Sequence, residues 1–78
     1  MTQIDSPEGI ARVFTYHSPF GDQPQRYVNI REHARDLALI IVRDCPASPE
    51  RTLALRKLQE AVMFANASIA INEAAPGL

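Results

Sequence analysis

The sequence predicts an all-α fold: an antiparallel helical hairpin behind an N-terminal lid segment, assembled into a symmetric oligomer. Three observations carry this. Two long segments, one from about Gln23 and one from Pro49, place apolar residues at steps of three and four, the period of a single helix face. The connector between them, Cys45-Pro46-Ala47-Ser48, is short enough to make the two helices antiparallel neighbours. Both segments also carry more apolar residues than one facing helix can cover.

Residues 1–12 are polar, are broken by Pro7 and Gly9, and show no sustained period, so they are expected to form a mobile N-terminus. Within them, Asp5-Ser6-Pro7-Glu8 is a start signal for a short helical turn running towards Arg12. One domain then spans residues 13–75, with a lid over 13–23 and a tail at 76–78. The stretch "VFTYHSPFGDQPQRY", residues 13–27, holds four of the five aromatic rings of the chain together with Pro19, Gly21 and Pro24. A hydrophobic core does not need its rings in a non-helical segment; a surface that grips a ligand does.

The first long helix is expected from Gln23 or Pro24, with the Asp22 carboxylate as N-cap. Tyr27, Ile30, Ala34, Leu37 and Ile41 form its seam, while Leu39, Ile40 and Val42 of "LALIIV" fall outside it. Pro46 stops this helix and turns Cys45 out of helical geometry. Ser48 caps the second helix, with Pro49 in its first turn and Glu50 facing its positive end. That helix is expected to run to about Glu73 on the seam Leu55, Leu58, Val62, Ala65 and Ile69. A second stripe of Phe64, Ala67 and Ile71, flanked by Met63 and Ala70, points elsewhere. Burial at about 25 cal/mol per Å² must offset roughly 1.5 kcal/mol of conformational entropy per ordered residue, which a lone hairpin does poorly. Oligomerisation is the consequence.

Composition removes several function classes. Eight Lys and Arg against nine Asp and Glu leave a net charge of −1, which makes DNA and RNA duplexes poor partners. The single cysteine allows no intrachain disulfide and fits a reducing compartment. The opening "MTQIDSPEGIARV" has neither a basic region nor an apolar run of signal-peptide type, and "LALIIV" is far too short to cross a bilayer. A soluble cytoplasmic protein without a membrane partner is expected. His17, His33 and Cys45 have no ligand spacing, so no metal or other cofactor is expected. No nucleophile elbow or triad is visible, so no catalytic residue is assigned.

The remaining candidates are binding residues. Tyr16 and His17 stand in the lid, where Phe14, Tyr16 and Phe20 either pack over the open hairpin face or, for Tyr16, offer a ring on which a nucleobase can stack. Arg31 and Arg35 lie one turn apart on a single face and are either a solvated edge or a phosphate clamp. Asn66 interrupts the apolar run "MFANASIA" and is either an interhelical hydrogen-bonder or a ligand contact.

These features converge on a resemblance. Residues 16–73 resemble the phage family that contains anti-CBASS protein two and Thoeris anti-defence protein one. The residues that carry it are Tyr16-His17-Ser18-Pro19, Tyr27 through Arg31, Cys45 through Glu60, and Met63 through Ile69. The resemblance implies a non-enzymatic immune evader, a hexamer of helical hairpins acting in the cytosol of the infected bacterium. It implies sequestration of cyclic nucleotide messengers, so that CBASS or Thoeris effectors are not activated. Its ligands would be cyclic dinucleotides, with cyclic trinucleotides and cyclic ADP-ribose isomers as related messengers. The resemblance gives Tyr16 the stacking role and Arg31 the phosphate role from a neighbouring subunit. Arg26 and Arg35 are the alternatives to Arg31, and His17 and Asn66 are further contacts. Relatives holding a trinucleotide are expected to carry a basic residue where this chain has Ile71 and Asn72. The competing reading is a small structural or adaptor oligomer with no nucleotide ligand.

Overall fold

The computed structural model describes residues 5–73; residues 1–4 and 74–78, with the expected tail at 76–78, lie outside them. The described chain is all-helical: α1 (Pro7–Phe14), α2 (Gln23–Asp44) and α3 (Pro49–Asn72). The last two form the hairpin. Side chains at the start of α2 bond to Glu73, just past the end of α3, so the pair is antiparallel.

The start signal at Ser6-Pro7 produces a full helix. Ser6 Oγ accepts from Gly9 N at 2.9 Å, and Pro7 and Glu8 occupy the first turn. This helix runs past Arg12, so Val13 and Phe14 are helical and the irregular segment begins at Thr15. The Thr15 hydroxyl donates back to the Ala11 carbonyl at that end.

At α2 the expected cap is replaced. Asp22 holds the N-cap position, but its side chain makes no cap bond; Oδ1 lies 3.2 Å from Arg26 Nε instead. The turn is closed by Gln23, whose Oε1 accepts from Phe20 N at 3.2 Å while its own N–H donates to Phe20 O at 3.0 Å. Gly21 sits inside this turn at φ +58°, the left-handed region where a side chain is strained. At the other end, Arg51 Nη1 donates to Cys45 O at 3.2 Å and Val42 O at 3.4 Å, satisfying carbonyls the helix leaves open. Ser48 Oγ accepts from Arg51 N at 3.1 Å, the cap expected for α3.

The seam of α3 is half-buried throughout, and that of α2 is too, except that Ala38 turns inward where Leu37 was expected. Among the described residues no apolar side chain of the core type is fully buried. Among the described residues the one buried polar side chain is Gln23, at 2% exposure. The molecule measures 49 × 29 × 17 Å, and 17 Å is too thin to enclose a core between helices about 10 Å across. Leu39, Ile40 and Val42 of α2 and Leu53, Met63 and Phe64 of α3 stay exposed.

Candidate functional site

The site grows from the point where α2 begins and α3 ends. Glu73 is gripped there by two side chains one turn apart on α2. Gln23 Nε2 donates to Glu73 Oε1 at 2.8 Å, Arg26 Nη1 donates to Oε2 at 2.9 Å, and Arg26 Nη2 donates to Oε1. A guanidinium fork against a carboxylate is the strong geometry for such a pair. The hydrogen bonds from Arg26 and then from Gln23 hold the Glu73 carboxyl below its ordinary range, and Glu73 and Asp22 raise Arg26 in turn. With Gln23 donating to Glu73 and accepting from Phe20, the buried amide is satisfied at both ends.

α1 is fastened to the same place. Arg12 Nη2 donates to Ile71 O at 3.2 Å and to Asn72 Oδ1 at 2.6 Å, across some sixty residues of sequence. His17 Nε2–H donates to Arg12 O at 2.9 Å, so the irregular segment after α1 is tied back to the helix it leaves. Between α1, this segment and the end of α3 opens a cleft of about 700 Å³, lined among others by Arg12, Tyr16, His17, Phe20, Ile71 and Glu73. That volume lies in the range of small-molecule sites.

Two of the six expected binding residues, Tyr16 and His17, line this cleft. Tyr16 is 81% exposed although the segment that follows it is tied down, by the His17 side chain to Arg12 and by Phe20 N to Gln23. Phe14 does not pack over the hairpin as expected: at the last turn of α1 it points to solvent, 80% exposed. Phe20 is the ring of the segment that turns inward. The second apolar stripe of α3 divides, with Ala70 and Ile71 lining the cleft while Met63 and Phe64 face outward.

The other four lie elsewhere. Arg26 is engaged with Glu73 and Asp22. Arg35 is exposed, with Nε 4.0 Å from Asp36 Oδ1. Arg31, on the exposed side of α2, has no ion pair or hydrogen bond of its side chain among the described residues. Asn66 is half-buried on α3, and its Oδ1 is sealed from solvent with no donor among the described residues. Sequence reading missed Arg12 and Glu73, which meet this site from opposite ends of the chain. No helical period links them, so no spacing signal could have found them.

Among the described residues there is no group of three or more His, Cys, Asp or Glu side chains that could hold a metal ion. No described helix is long and apolar enough to cross a membrane. No curated protein and no solved structure matches the chain. A family model does: the Acb2/Tad1 hairpin domain matches residues 6–70, from the N-cap of α1 to the last turn of α3, well over half the chain. The matched region contains the capped α1, the lid and the antiparallel pair up to Ala70, and by this match the chain belongs to the Acb2/Tad1 hairpin-domain family.

Proposed function

We propose that this protein is a phage anti-defence sponge. It binds and sequesters cyclic nucleotide messengers, cyclic dinucleotides such as cyclic GMP–AMP first, and returns them chemically unchanged. Cyclic trinucleotides and cyclic ADP-ribose isomers are the related ligands. Tyr16 is the observation that carries the reading. A ring left 81% exposed on a tethered segment beside a cleft is an awkward core residue and a good stacking surface. In this reading the protein works as a homo-oligomer, a hexamer as the family resemblance implies. Arg31 of a neighbouring copy meets the phosphates, with Arg35 one turn along, and Asn66 finds its donor across an interface or on a ligand.

Holding suits these groups better than cutting. Hydrolysis of a phosphodiester needs a positioned base, a nucleophile or a metal-bound water. Glu73 is clamped by Arg26 and Gln23 and its lowered pKa makes it a weak base, while His17 Nε2 is occupied by a backbone carbonyl. The test is to incubate the protein with cyclic GMP–AMP, remove unbound ligand, boil, and chromatograph what is released. Intact cyclic dinucleotide is the expected result. Linear products that accumulate with time and protein concentration would overturn the reading in favour of an enzyme.

A further inference from the structure

We infer that Gln23 is a positioning residue for the Tyr16 ring: its buried amide ties the lid to the Glu73 closure and so holds the ring ready for its ligand. The inference rests on the reading that Tyr16 stacks on a cyclic nucleotide. Gln23 lines the cleft but is 2% exposed, so it offers a ligand almost no surface and acts through what it holds. Its two ends hold different things. Nε2 donates to Glu73 Oε1 at 2.8 Å, and Oε1 accepts from Phe20 N at 3.2 Å. The amide sits only this way round: an ionised carboxylate accepts and a backbone N–H donates, so the nitrogen faces Glu73 and the oxygen faces Phe20. Arg26 fixes Glu73 in turn, with Nη1 donating to Oε2 at 2.9 Å. The lid is thereby referred to the point where α2 and α3 meet.

Tyr16 is 81% exposed, so packing does little to fix its ring and the backbone that carries it has to. The next residue, His17, bonds to Arg12 O at 2.9 Å, and Phe20 N bonds to Gln23. Only Ser18 and Pro19 separate these two ties, and a proline fixes its own φ and restricts the residue before it. The segment beside Tyr16 therefore has little freedom while the Gln23 bond stands. A lid already held in place spares the ligand the entropy of ordering it. Losing the amide would leave Phe20 N without its partner but keep the hairpin closure, because Arg26 still holds Glu73. The backbone N–H of residue 23 would also still donate to Phe20 O at 3.0 Å.

Gln23→Met keeps the reach of the side chain and removes both amide bonds. Binding of cyclic GMP–AMP is measured by calorimetry for the parent, Gln23→Met, Tyr16→Ala and the double variant, with circular dichroism and light scattering confirming equal helix content and assembly. Gln23→Met should bind about threefold to tenfold more weakly, the worth of one net hydrogen bond. In the Tyr16→Ala background the same change should cost nothing further, because no ring is left to place. Parent-like binding by Gln23→Met, or a loss that adds in full to that of Tyr16→Ala, would overturn the inference. A second measurement uses the parent and does not depend on how the variant folds. If the tether favours binding, binding must favour the tether, so exchange of the Phe20 amide hydrogen should slow when cyclic GMP–AMP saturates the site. Unchanged Phe20 exchange at saturation would overturn the inference even where Gln23→Met fails to fold. A parent that binds no cyclic dinucleotide would instead remove the underlying functional reading, and the inference with it.

Discussion

Tyr16 and Arg31 make different demands on the chain, and their substitutions should behave accordingly. Neither supports the packing of the hairpin: the ring is exposed on the segment after α1, and the guanidinium, on the exposed side of α2, has no ion pair among the described residues. Tyr16→Ala and Arg31→Ala are therefore expected to leave folding and assembly intact. Loss of a stacked ring costs about 1–3 kcal/mol, so cyclic dinucleotide affinity should fall by about tenfold to a hundredfold in Tyr16→Ala. Calorimetry on both variants decides the point. Parent-like binding by both would mean that the ligand sits in another pocket. A silent Arg31→Ala alone would move the phosphate contact to Arg35, because Arg26 is already committed to Glu73.

Among elements, the closure between the start of α2 and the end of α3 is polar where the rest of the hairpin seam is apolar. Its carboxylate is the part that pH can reach. Glu73 is held below its ordinary pKa in the folded chain, so its contribution is complete above the unfolded value and is lost as pH falls through the folded one. Asp44, lowered by Arg43, moves in the same direction. Urea unfolding from neutral pH into the acid range should show stability falling, and Glu73→Gln should show a shallower fall while Asp44 still titrates. An identical acid profile for parent and variant would place the titration elsewhere. The same closure positions Ile71 and Asn72 for Arg12, so α1 and the cleft depend on α3 ending where it does.

For the whole molecule, the governing fact is that the described chain buries no apolar side chain fully. A folded monomer would leave Leu39, Leu53, Met63 and Phe64 in water, an unusual surface for a soluble chain of this size. We expect an obligate oligomer, a hexamer by the family resemblance, at low micromolar concentration in light scattering on a sizing column. A folded, monodisperse monomer would refute this. Phe64→Asp is the sharper probe, because the ring is 70% exposed in the single chain and its change costs that chain little. Dissociation or unfolding of that variant would report contact between copies. Ile71 is a poorer probe, since it lines the cleft within its own chain.

What local chemistry specifies was legible in the residues. The three-and-four spacing, Pro46, and the Ser48-Pro49 cap set both long helices and their connector, because period and capping act within one or two turns of chain. Tyr16 stood out for a similar reason: a ring between Thr15 and Pro19 has no helix face to join. Other features needed the tertiary structure. Ser6-Pro7 announces a helix start, but the fastening of Arg12 to Ile71 and Asn72, which ties α1 to the hairpin, exists only in the folded chain. Asp22 is a good cap by type, yet Arg26 draws its carboxylate away and Gln23 closes the turn instead. The family resemblance offers Arg26 as a ligand contact, and no spacing announces that Glu73, forty-seven residues away, accepts from both arms of its fork. Elements were determined by neighbours along the chain. The cleft was decided by charges that meet only after folding, and sequence spacing carries no record of those meetings.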